Sequence, residues 1–309
     1  MIRALILAGL IAGMPAMSPY ESRSESRAQS RSQSKTDELA SRFAKELQTV
    51  AERVDGSVGY LVVDLTTGQR IARRADEPFP TASTIKIGIL HELFAQADAG
   101  RVALDDPRPL PESARAGGSG ILQRLKSPSI SLRDHALLMI LVSDNTATNV
   151  LIDTLGREAI TARMQALGAR GFALRRRMMD GEAVARGDEN VASPADLVTI
   201  MDALRTGRGL TPASRDAALA ILREPGPTAI RSGVPSGVPV AAKPGSLSGV
   251  RAEVAFVDLQ GRPYLLCVMA SFLADDQAGG AAITDISRLA YQYFSRLARA
   301  GVEGRLLDR

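Results

Sequence analysis

TASTIKIGIL, residues 81–90, sets a serine and a lysine three positions apart at the head of an apolar, helix-like run. In a helix, positions i and i+3 share one face about a turn apart, so Ser83 and Lys86 can approach each other. A serine hydroxyl is a weak nucleophile until a base takes its proton. Lysine is such a base only where burial or a neighbouring cation lowers its pKa, and arginine cannot substitute. Only five of the 38 basic residues are lysine, at positions 35, 45, 86, 126 and 243, which makes each of them informative. A Ser-x-x-Lys pair is weak evidence by itself: Ser32 and Lys35 form another, in a polar segment with no core to hold them. Taken alone, Ser83 reads equally as a nucleophile and as a polar residue in a first helical turn.

The same run divides the chain. Before it, TDELASRFAKELQTVAERV spaces Leu39, Phe43, Leu47, Val50 and Val54 at helical intervals, with Thr36 as the expected N-cap. SVGYLVVDLTTGQRIARRAD follows as a hairpin around Thr-Thr-Gly. From residue 83 to about 222 the pattern is mostly helical. Strands then return in VPVAAKPG, RAEVAFVDLQG and RPYLLCVMASF, and ITDISRLAYQYFSRLARAG closes the chain as a helix. Strands near both ends with helices between them predict an α/β (α+β) fold. An antiparallel sheet is assembled from both termini and flanked by helices, with an all-helical lobe inserted. The domain is expected over 36–309, with the sheet lobe at about 36–82 and 225–300, the helical lobe at about 83–224, and a cleft between them.

Length and composition support one large globular domain: 309 residues, 45% hydrophobic, with a net charge of only +4 that does not by itself indicate nucleic acid. Residues 1–18 combine Arg3, the apolar run ALILAGLIAG and small residues, and read as a signal peptide too short to span a membrane comfortably. Export to a periplasmic or extracellular space is expected. Residues 19–35 alternate Ser, Arg and Glu and read as a mobile linker; a nucleic-acid-binding tail is the weaker alternative. The single cysteine, Cys267, sits in an apolar strand and reads as core. A monomer without a bound cofactor is expected.

Two further segments change the odds on Ser83. In LVSDNTATN, Ser143, Asp144 and Asn145 lie between two helical runs, a junction that can turn a hydroxyl and a carboxamide into a cleft while Asp144 caps the next helix. In AAKPGSLSG, Lys243 ends a strand-like run, followed by Gly245 and Ser246; a lysine there supplies fixed charge and a nearby N–H can face an oxyanion. The plainer readings are an N-cap cluster and an edge-strand lysine.

In this order and at these separations, the segments resemble the class A β-lactamase and penicillin-binding family of active-site serine hydrolases, whose signature is Ser-x-x-Lys, Ser-Asp-Asn and Lys-Thr-Gly. The resemblance covers about residues 40–300. It implies the two-lobed fold, a β-lactam or peptidoglycan-like substrate, and no metal or cofactor. Ser83 would be the acylated nucleophile, Lys86 its proton acceptor, and Ser143 a proton shuttle to the leaving nitrogen. Asn145 would bind the substrate amide, Lys243 and Arg251 a carboxylate, and the N–H groups of Ser83 and Ser246, beside Gly245, would form the oxyanion hole.

The third motif departs from the pattern as Lys243-Pro244-Gly245, which loses a hydroxyl and a backbone donor. The family's Glu-x-x-Leu-Asn stretch, which positions the deacylating water, is absent. Counting back from Glu189 puts Met178 in the place of its glutamate; Asp180 and Glu182 are the nearest carboxylates, and Glu182 is the candidate base. Both also read as loop-packing residues. A D-alanyl peptidase, an esterase or a slowly deacylating penicillin-binding module therefore stand as alternatives to a β-lactamase. His91 and His135 fall in apolar helical runs and read as structural; GGSGIL around Ser119 reads as a loop lining the cleft.

Overall fold

In a computed structural model of the chain, residues 19–224, 226–301 and 304–307 are described, with side chains from residue 35 onward. The expected signal segment, 1–18, lies outside them.

The chain opens on α1 (Pro19–Glu52). Residues 19–35, expected as an irregular linker, are thus the first half of this helix, and Thr36 is not its cap. Residues 20–55 contain no glycine or proline, and their Arg, Glu, Gln, Lys and Ala are good helix formers, so nothing in them stops a helix seeded further along. Ala40, Phe43, Leu47 and Ala51 form the buried face of α1.

Next come β1 (Ser57–Asp64), β2 (Arg70–Arg73) and the two-residue β3 (Phe79–Pro80), then a 3₁₀ turn, Ala82–Ile85, leading directly into α2 (Lys86–Asp98). The short strands β4 (Pro107–Pro109) and β5 (Ser129–Ser131) pair across the loop that holds Ser119. The helical lobe continues as α3 (Leu132–Leu141), α4 (Asn145–Leu155), α5 (Arg157–Ala166) and α6 (Gly181–Ala185). After β6 (Val191–Ala192), which pairs with β3, come α7 (Pro194–Thr206), α8 (Pro212–Arg223) and α9 (Ala229–Ser232). The chain then returns through β7 (Val240–Leu247), β8 (Val250–Val257), β9 (Tyr264–Ser271) and α10 (Asp276–Arg299).

The main sheet is antiparallel with the order β2-β1-β9-β8-β7, so strands from both ends of the chain are interleaved as the alternation of elements predicts. Central strand β9 is buried at all eight positions. Its alternate residues serve two cores. Tyr264, Leu266, Val268 and Ala270 join Phe43, Leu47, Tyr293 and Phe294 of α1 and α10, where Phe43 stacks on Tyr293 at 4.4 Å. Leu265, Cys267 and Met269 join the helical lobe, with Ile87, Leu90 and Leu93 of α2. A strand buried on both faces reads as an unbroken apolar run, which is how this one looks in the sequence. Among the described residues no helix is long and apolar enough to cross a membrane.

The period of two also decides where Lys243 goes. Val240 and Ala242 belong to the outer core and Ala241 to the inner one, so Lys243 and Gly245 face the helical lobe. There β7 meets the turn that carries Ser83, and a Cβ on Gly245 would lie 2.7 Å from Ser83 N and 2.8 Å from Thr81 O. Only glycine lets the two backbones approach this closely.

Candidate active site

Ser83 sits half-buried in the 3₁₀ turn ahead of α2, preceded by Ala82 at φ +46°, a left-handed conformation unusual for a residue with a side chain. Lys86 is the first residue of α2 and is fully buried. Its ammonium group donates to Ser143 O at 2.8 Å, Ser143 Oγ at 3.0 Å and Asn145 Oδ1 at 3.0 Å. Burial holds its pKa well below the ordinary lysine value; Lys243 lowers it further, and Asp144 offsets part of this.

Ser143 lies between α3 and α4 at φ +54°, and this left-handed turn sends both its carbonyl and its hydroxyl towards the lysine. Asp144 fixes the junction. It is buried, caps α4 through Ala147 N at 2.8 Å, and accepts from Ile121 N at 2.6 Å and Leu122 N at 2.8 Å. Asn145 donates from Nδ2 to Gly117 O at 2.9 Å, and its own N–H bonds Ser119 O at 3.1 Å. One short motif therefore anchors the 117–122 loop, holds Lys86 and starts a helix.

Lys243 arrives from the sheet. Fully buried, it donates to Ser143 Oγ at 3.2 Å and to Pro244 O at 3.0 Å. Burial lowers its pKa to about 8 against the opposing pull of Glu253.

Two cavities meet at Ser83. One, of about 240 Å³, is lined by Ser83, Ser143, Lys243, Pro244, Ser246 and Glu253 among others. The second, of about 170 Å³, reaches the other way past Ser119, Asn145, Met178 and Met179, with Ser83 and Ser246 on its wall as well. Ser83, Lys86, Ser143, Asn145, Lys243, Gly245 and Ser246 are thus brought together, and Ser119 joins both cavities as a cleft-lining loop residue.

Two expected site residues stand differently. Arg251 lines the first cavity, but its Nη1 donates to Leu247 O and Val250 O at 2.9 and 2.8 Å and its Nη2 pairs with Asp276 at 3.2 Å. Its guanidinium serves the β7–β8 turn and is not an open fork for a substrate carboxylate. Glu182 is exposed in the first turn of α6 and lines neither cavity, while Asp180 caps that helix through Ala183 N at 2.9 Å. A five-residue helix turns Glu182 to solvent because its buried position belongs to Ala183.

Met178 lines the second cavity. Its backbone is gripped by Asn149, whose Oδ1 accepts from Met178 N at 2.8 Å and whose Nδ2 donates to Met178 O at 3.3 Å. Sequence reading passed over Asn149, although it follows Asn145 by four residues and so shares its helix face. It also passed over Glu253, the one acid in strand β8 and the only carboxylate among the described residues lining either cavity. The histidines take structural places: buried His91 and His135 donate to Arg208 O and Ser131 O at 2.9 and 2.7 Å. Among the described residues no His, Cys, Asp or Glu cluster could hold a metal.

Residues 42–294 match the model of a family described as the beta-lactamase enzyme family. The beta-lactamase AST-1 of Nocardia asteroides is 31% identical over 236 residues, 74% of this chain and 75% of that protein. Among solved structures, a beta-lactamase from Sphaerobacter thermophilus superposes with a TM-score of 0.77 at 35% identity, covering 82% of this chain and 97% of that one. A point mutant of PBP-A, described as an acyl-enzyme complex with penicillin G, superposes with the same score at 30% identity, over 82% of this chain and 97% of that one.

Proposed function

Because the chain belongs to the beta-lactamase enzyme family, we propose that it is an exported serine hydrolase, acylated at Ser83, that opens the cyclic amide of β-lactams. The observation that carries this reading is the convergence of two buried lysines on Ser143 Oγ at the junction of two cavities that share Ser83. Lys86, one helical turn beyond Ser83, has a pKa lowered by burial and by Lys243, which raises its neutral fraction and favours its taking the Ser83 proton. The carbonyl oxygen that becomes an oxyanion is received by the N–H groups of Ser83 and Ser246. The proton then passes through Ser143 to the departing ring nitrogen, and Lys243 with the Ser246 hydroxyl holds the substrate carboxylate.

Release of the acyl group is the slow half. Among the described residues no carboxylate lines the second cavity, and the position beside Asn149 holds a thioether that cannot accept a proton from water. This favours a second reading within the same site, a long-lived acyl-enzyme of the penicillin-binding kind or one whose natural acyl donor is a D-alanyl peptide or an ester. Incubation with benzylpenicillin and a chromogenic cephalosporin, followed by intact mass, separates the readings. One acyl adduct per chain, lost in Ser83→Ala, is expected. Rapid turnover without an adduct supports efficient deacylation, and neither adduct nor turnover sinks the proposal.

A further inference from the structure

Glu253 is buried on β8, directly opposite Pro244 in the β7–β8 ladder, and lines the cavity shared by Ser83, Ser143, Lys243 and Ser246. Its Oε2 accepts from Ile230 N at 3.1 Å, while Oε1 has no hydrogen-bond partner. An unmet buried acceptor is costly and seldom retained without a use. The titratable groups around it are Lys243 on β7, Arg231 on α9 and Cys267 on β9, with Lys86 beyond Lys243; Arg251 of β8, paired with Asp276, lines the same cavity. From α10 only Gly280 and Ile283, both uncharged, reach this wall.

We propose that Glu253 is a specificity-determining residue, which selects between carboxylate-bearing and neutral acyl substrates through the charge it sets beside Lys243. This rests on the reading of Ser83 as the acylated serine. When Glu253 carries a proton, the pair bears the single positive charge of Lys243, and the cavity favours an anion. Ionised Glu253 cancels that charge, and loss of the Lys243 proton then leaves the pair negative. Burial pushes the Glu253 carboxyl up to about 7, and the polar groups of Thr228, Ile230 and Ala229 and the nearby Lys243 charge oppose the shift. Both steps therefore fall between mildly acidic and mildly alkaline pH. Glutamine at this position removes one of them: the pair goes from positive to neutral and no further.

The test uses benzylpenicillin and its methyl ester, which differ in the carboxylate charge and one methyl group, and follows acylation of the full chain by intact mass. In wild type, the ratio of the acylation rate constants, acid over ester, falls at least about tenfold between about pH 5.5 and about pH 9. With Glu253→Gln the ratio matches wild type near the lower pH and is several-fold higher near the upper. The wild-type profile stands even if the variant folds poorly, and a flat one overturns the proposal. Adducts with a Glu253→Gln ratio identical to wild type throughout overturn it while leaving the Ser83 reading intact. No adduct with either compound overturns both.

Discussion

Lys86 and Lys243 converge on a single oxygen, Ser143 Oγ, at 3.0 and 3.2 Å, one from the helical lobe and one from the sheet. A hydroxyl has two lone pairs and one proton, so accepting from both lysines leaves the Ser143 proton free to be given to a departing group. The arrangement also couples the lysines, since each charged ammonium disfavours the other.

That coupling has a readable sign. Removing the Lys243 charge in Lys243→Ala takes away a cation that lowers the pKa of Lys86. The Lys86 pKa should then rise, its neutral fraction at a given pH should fall, and the acid limb of the acylation rate should move upward by about one pH unit. Rates with a neutral penicillin ester across the pH range check this, because they exclude any change in carboxylate binding. An unmoved or lowered limb contradicts it.

A carboxylate at 178 should restore the missing step. Asn149 holds the Met178 backbone at both N and O, so a new side chain there starts from a fixed point on the wall of the cavity beside Ser83. Met178→Glu should shorten the lifetime of the penicilloyl adduct by about 10²-fold, within the range of a positioned general base. Glu182→Gln should leave it unchanged. Adduct decay followed by intact mass decides, and equal lifetimes in Met178→Glu and wild type would remove Met178 from the explanation of slow release.

The sheet, the inserted lobe and the meeting of Ser83, Lys86, Ser143 and Lys243 were legible because each rests on a short-range pattern: period-two burial, helical spacing, or a three-residue motif. Less legible were features set by tertiary context. Arg251 could be placed near the cavity from sequence, but not its capture by Leu247 O, Val250 O and Asp276, which depends on how the β7–β8 turn meets α10. Residues 19–35 have the composition of a solvated linker and also of a breaker-free helix; continuity with the anchored face of Phe43 and Leu47 separates the two. Glu253 looked like one charge among many until the fold placed Lys243 nearby and left one of its oxygens unpaired.

Asp144 should matter more to stability than to chemistry. Its carboxylate satisfies three backbone N–H groups on two segments, and Asp144→Ala leaves them without that partner at a cost of about 3 kcal/mol. Gly120→Ala attacks the same contact from the other side: the backbone sits at φ +102°, and an added Cβ would lie 2.3 Å from Asp144 Cγ. Both variants should lower the melting temperature by about 6–12 °C, and values within about 1 °C of wild type would show that the 117–122 loop does not depend on this anchor.

Pro244 offers the reverse experiment, a gain. It lies on edge strand β7, where the missing N–H leaves the β8 ladder largely undisturbed, and it lines the cavity between Lys243 and Ser246. Threonine at this position restores a backbone donor and a hydroxyl where the proposed substrate carboxylate sits, while Lys243 keeps a carbonyl at residue 244 to which it can donate. A hydrogen bond to a charged group should raise acylation by benzylpenicillin about tenfold in Pro244→Thr. The methyl ester, lacking the charge, should gain much less. If acid and ester gain equally, the hydroxyl acts on strand geometry and not on the carboxylate, and recognition of the anion rests with Lys243 and Ser246 alone.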